Sequence, residues 1–129
     1  MYDVERSEDQ TGLTGLAAGM RLYAMDAWVR HPDVLVDRDR LRDLLHDAAA
    51  AGPATVLGEK FCTFPNGALT GVLILAQSHL SLHTWPELGL ANVDLLSYGE
   101  IDGEAILKTI EEGLEAERVS TSCIPRGRS

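Results

Sequence analysis

Residues 78–87 read Ser-His-Leu-Ser-Leu-His-Thr-Trp-Pro-Glu. This short stretch holds hydroxyls, two imidazoles and a carboxylate, the groups that act as nucleophiles and carry protons. His79, Ser81 and His83 alternate with Leu80 and Leu82. A period of two belongs to a strand, with the three polar side chains on one face and the leucines on the other. Ser78 follows a continuous apolar run, so a hydroxyl stands where a buried strand ends.

Each of these residues also has an ordinary reading. Ser78 could be a turn serine, and Glu87 a solvated turn carboxylate. Trp85 would pack at a strand end. His79 and His83 could be two metal ligands, although they lack a third ligand and outer partners, and no metal is assigned. Cys62 reads as a small buried hydrophobe, with a role as a displaced acid the other option. Phe64 suits a core or a pocket equally.

The elements that must position these groups follow from the flanking pattern. Residues 19–28 hold Leu22, Tyr23, Met25 and Trp28 and suit a strand, which His31-Pro32 ends. A helix is expected over 34–51. It carries Val34, Leu41, Leu44, Leu45 and Ala48, Asp37 as its N-cap and Gly52-Pro53 as its stop. Strands are expected at 54–64 and 69–76 around the turn Pro65-Asn66-Gly67, the second buried on both faces. Residues 79–84 continue as an extended piece, Pro86 and Gly89 mark a turn, and 91–98 reads as a strand. A second helix over 104–116 presents Ile106, Leu107, Ile110 and Leu114 behind an Asp102 cap, before a last strand at 118–124.

That order predicts an α+β fold, a two-layer sandwich of an antiparallel sheet with two helices on one face. The uncovered sheet face predicts a homodimer. Residues 1–15 are polar and acidic and read as a disordered lead-in to a single domain over 16–129.

With 129 residues, 45% of them hydrophobic, the chain can build one core without disulfides. A net charge of −9 argues against nucleic acid and anionic membrane as partners. It would draw in a small cationic substrate, though acidic surfaces also serve solubility. Cys62 and Cys123 form no CxxC pair, and no apolar stretch is long enough to span a bilayer, so a cytoplasmic location with free thiols is the expectation.

From Gln77 to Glu87 the chain resembles the processing motif of the short prokaryotic S-adenosylmethionine decarboxylases. That motif is Glu-Ser-His-hydrophobic-Ser/Thr-hydrophobic-His-Thr-Trp-Pro-Glu. Leu69-Thr70-Gly71-Val72 resembles the family's Val-Ser-Gly-Val strand, and Ala91-Asn92-Val93-Asp94 its Ala-Ala-Val-Asp strand. The similarity spans roughly residues 19–127.

The resemblance implies self-cleavage between Gln77 and Ser78, which turns Ser78 into a pyruvoyl cofactor and leaves two chains, β and α. His83 matches the processing histidine, and Thr70 the hydroxyl residue that assists it. The pyruvoyl ketone would form a Schiff base with the substrate amine and act as electron sink for loss of carbon dioxide. Glu87 matches a glutamate that binds ribose hydroxyls. Phe64 lies near an aromatic that contacts adenine. The resemblance also implies a homodimer of αβ protomers.

Three departures stand out. Tyr98 occupies the place of the cysteine that serves the family as proton donor, and a phenol is a weaker acid than a thiol, about 10 against about 8.5. Gln77 replaces a glutamate. Leu88-Gly89-Leu90 replaces Tyr-Gly-Tyr, which puts Leu88 in the substrate-binding region. Such changes around a kept processing set point to L-ornithine or L-arginine as substrate of a pyruvoyl-dependent decarboxylase in polyamine synthesis. The alternatives are S-adenosylmethionine itself, and an inactive regulatory partner of an active decarboxylase.

Overall fold

The computed structural model describes residues 19–76 and 78–127. The expected lead-in over 1–15 and the residue Gln77 lie outside the described residues. Six strands form one antiparallel sheet: β1 (Arg21–Val29), β2 (Val56–Thr63), β3 (Leu69–Leu75), β4 (Ser78–Trp85), β5 (Leu90–Ser97) and β6 (Ala116–Pro125). Their spatial order is β2-β3-β4-β5-β1-β6. The helices α1 (Arg38–Ala51) and α2 (Gly103–Gly113) pack against each other and cover one face, which is the two-layer α+β sandwich expected.

The alternation read along 79–83 runs through the whole sheet. Leu80 and Leu82 of β4, Leu73 of β3, Val93 and Leu95 of β5 and Met25 of β1 are buried with Leu41, Leu45, Ile106 and Ile110 of the helices. Among the described residues no second layer covers the opposite face. For that reason β3 is buried on one face and not on both, and Ile74 is 53% exposed. Gly71 has a local reason to lack a side chain: a Cβ there would sit 2.2 Å from the Phe61 ring.

The caps are where the sequence puts them. Asp37 accepts from the Arg40 backbone N–H at 3.2 Å, and Asp102 from that of Ala105 at 3.0 Å. The first helix starts later than expected because Pro32 opens a separate 3-10 turn, Pro32–Val36, which delivers Val34 and Leu35 to the core. Arg42 and His46 on α1 bind Glu59 on β2 at 2.7 and 2.5 Å. The Arg42 hydrogen bond, then that of His46, holds this carboxyl below the usual carboxylate range.

Thr84 sits beside the chemically interesting face but points into the core, fully buried. Its hydroxyl accepts from the Leu69 backbone N–H and donates to the Leu35 carbonyl, both at 2.9 Å. It therefore ties β4 to the start of β3 and to the 3-10 turn. Thr84→Val keeps the shape and strands both backbone groups. The expected result is a loss of about 2–4 kcal/mol in unfolding free energy, measured by urea denaturation.

Candidate active site

The sheet register builds a row of side chains across all six strands. Cys62 pairs with Thr70, Thr70 with His83, His83 with Asn92, Asn92 with Asp26, and Asp26 with Ser120. Residues directly opposite in an antiparallel pair share a face, so all six lie on the face the helices leave open.

His83 is held by one hydrogen bond and two ring contacts. Thr70 Oγ1 and His83 Nδ1 are 2.6 Å apart, a short hydrogen bond that leaves Nε2 for another group. The Trp85 ring meets the imidazole edge-on at 4.5 Å between centroids, and Phe64 does so at 5.8 Å. The matched pair Thr70 and His83, singled out from the sequence, is thus brought together. Trp85 does more than pack: it is 40% exposed, and its indole N–H donates to Asn92 Oδ1 at 2.6 Å.

Ser78 is the first residue of β4. Its Oγ is buried and has no hydrogen-bond partner among the described residues. A hydroxyl in that condition costs about 1–3 kcal/mol, which suits a group used for chemistry rather than for structure. Ser78 and His83 are not brought together. They lie five residues apart on one extended strand, about 16 Å at the usual rise.

The remaining candidates divide between the two ends of the sheet. Tyr98 follows the last residue of β5, two positions beyond the His79–Leu96 pair, and so stands at the Ser78 end. Glu87 and Leu88 are exposed in the 3-10 turn Pro86–Leu88, at the His83 end. Phe64, 42% exposed, is at that end too, so it belongs to a surface rather than to the core. Cys62 is exposed, not a buried hydrophobe, because β2 is an edge strand and this residue faces away from the helices. His79 and His83 are about 13 Å apart along the strand, too far to share one ion. Asp26 and Asn92 were not singled out by their types. The one signal was an amide inside an alternating strand, where asparagine is rare.

A family model described as S-adenosylmethionine decarboxylase matches residues 21–127. The chain is 37% identical over 98 residues to the S-adenosylmethionine decarboxylase proenzyme of Thermodesulfovibrio yellowstonii, covering 75% of this chain and 73% of that one. It is 37% identical over 106 residues to the proenzyme of the same description from Pyrococcus abyssi, covering 81% and 76%. The crystal structure of the adenosylmethionine decarboxylase from Aquifex aeolicus superposes with a TM-score of 0.76 at 28% identity, covering 87% of this chain and 93% of that one. Fold and site together define a carboxy-lyase made as a proenzyme, with a pyruvoyl group as its electrophile. The chain belongs to the S-adenosylmethionine decarboxylase family.

Proposed function

We propose that the chain cuts itself between Gln77 and Ser78 and then decarboxylates S-adenosylmethionine, with Thr70 and His83 driving the cut. The observation that carries this reading is the 2.6 Å Thr70–His83 bond on the strand pair whose β4 begins at Ser78, a residue on the helix-covered face whose hydroxyl has no partner among the described residues.

In the first step Ser78 Oγ attacks the Gln77 carbonyl. The C–N bond breaks, a C–O ester forms, and the hydroxyl proton passes to the freed nitrogen. A base then takes the Ser78 Cα proton; the electron pair forms Cα=Cβ, and the ester oxygen leaves with Gln77 as a carboxylate. Water replaces the nitrogen as ammonia, leaving the pyruvoyl group. That group supplies a ketone that accepts the electron pair released by decarboxylation.

His83 suits the proton-carrying role, since Thr70 engages Nδ1 and Nε2 is left to work. The distance along β4 supports a role on another molecule. An imidazole about 16 Å away cannot serve its own Ser78, so the Thr70–His83 couple acts on Ser78 of a second copy. Stacking two open sheet faces antiparallel would bring the Ser78 end of one copy over the His83 end of the other. The target, a backbone Cα–H, is shared by both faces of the strand. Tyr98, at the Ser78 end, is the proposed proton donor of the finished enzyme, in the place of a cysteine.

S-adenosylmethionine is favoured over L-ornithine and L-arginine. The relatives of highest similarity reported above all carry the S-adenosylmethionine name. The His83 end also gathers Phe64 and Trp85, two exposed rings, with Glu87 just beyond them. Rings and a carboxylate suit a purine and a ribose diol, and a short aliphatic amine has no use for the rings. The replacements at Tyr98 and Leu88 are the features that favour a changed amino-acid substrate.

Two experiments test the proposal. Differently tagged Ser78→Ala and His83→Ala chains, each uncut alone, are coexpressed. The His83→Ala chain should then be cut into 1–77 and 78–129 by intact mass, while the Ser78→Ala chain stays whole. Absence of fragments in a mixed dimer would refute the two-copy site. Processed wild-type protein should release carbon dioxide from carboxyl-labelled S-adenosylmethionine. Release from ornithine or arginine alone would overturn the substrate assignment.

A further inference from the structure

Asp26, Asn92 and Trp85 form a hydrogen-bonded chain that ends on the His83 ring. Asn92 Nδ2 donates to Asp26 Oδ1 at 2.7 Å, and Trp85 Nε1 donates to Asn92 Oδ1 at 2.6 Å. Trp85 then lies edge-on to His83 at 4.5 Å. We infer that this chain is a positioning device for His83 in self-cleavage: Asp26 sets Asn92, Asn92 sets Trp85, and Trp85 sets the imidazole.

The two hydrogen bonds run in one matched direction, from indole through amide to carboxylate. An ionised carboxylate only accepts, and an indole N–H only donates. The amide between them has one orientation that satisfies both, with its nitrogen toward Asp26 and its oxygen toward Trp85. A carboxylate at the start makes the first bond charge-assisted and pins the amide. Random polar decoration of an open strand face has no such matching over β1, β5 and the end of β4.

The second side of the imidazole is tied independently, by Thr70 through Nδ1. One bond alone leaves a ring free to swing about it. The Trp85 ring removes that freedom, and Nε2 is left pointing in one direction. Trp85 needs fixing in turn, because it is 40% exposed and no core holds its far end. Asn92 holds it there. The three residues act through His83 and touch no reacting atom, so they are positioning residues.

The inference rests on His83 as the processing histidine, and the test separates the two. Asn92→Asp still accepts from Trp85 but meets Asp26 as a like charge without a donor. Adding Asp26→Asn swaps carboxylate and amide between the strands and rebuilds the chain with every donor and acceptor matched. Freshly synthesised wild type, Asn92→Asp, the double variant and His83→Ala are followed by intact mass, with and without hydroxylamine, which cleaves the ester intermediate.

The expected result for Asn92→Asp is about tenfold slower fragment formation, with hydroxylamine-sensitive ester accumulating. The double variant should return to within about threefold of wild type. A general loss of structure would slow ester formation as well and would not be rescued by the swap. Wild-type rates in Asn92→Asp, or no recovery in the double variant, overturn the chain while His83→Ala still stalls at the ester. Unimpaired cutting in His83→Ala would overturn the reading of His83 itself.

Discussion

The antiparallel register of β3 and β4 is the constraint on which the site depends. It sets Thr70 opposite His83 and, through β5, sets Asn92 on the other flank. A slip of one residue would turn His83 into the core and bring Leu82 or Thr84 out to the open face. Two features resist that slip. Leu80 and Leu82 are buried among the leucines of β3 and the helices, and Thr84 bonds backbone groups on two separate segments. The core face of β4 therefore fixes the chemical face, and the same strand serves both.

Strand geometry also separates Ser78 from the His83 proposed to serve its processing. A helix would return a side chain to the same face within a turn, so two groups five residues apart could meet only with difficulty but remain near. A strand carries them apart by about 16 Å. Ser78 and Tyr98 stand at one end of the sheet; Thr70, His83, Phe64 and Glu87 stand at the other. The open face that carries Thr70 and His83 also carries Ile74, an exposed apolar side chain.

Much of this was legible because alternation and caps are local. The leucines of β4, the caps Asp37 and Asp102 and the turn at Asn66-Gly67 each follow from a few neighbouring residues, and the processing motif is itself contiguous. The row through His83 was not legible. Its members come from six strands, and Asp26 and Asn92 meet only because β1 is inserted between β5 and β6. No local pattern encodes that pairing. Exposure of β3 on one side was misjudged for a related reason: an apolar run reads the same whether its second face is covered by its own chain or left for another. The substrate expectation leaned on single replaced residues such as Tyr98 and Leu88, whereas the rings around His83 form one surface only in the folded sheet.

The insertion of β1 also explains how the fold can tolerate a cut at the start of β4. The residues before Ser78 supply β1, α1, β2 and β3; those from Ser78 onward supply β4, β5, α2 and β6. In the sheet these sets interleave. The β3 strand pairs with β4, and β1 is held between β5 and β6, so three of the five strand pairings join the two pieces. The helices, one from each piece, pack on each other over the same core. Breaking the peptide bond before Ser78 removes a connection at the sheet's end and none of these pairings. Separating the pieces would require opening the sheet at three places and the core with it. The topology that hides the Asp26–Asn92 contact from the sequence is thus the one that lets a strand begin with a newly made chain end and stay where it was.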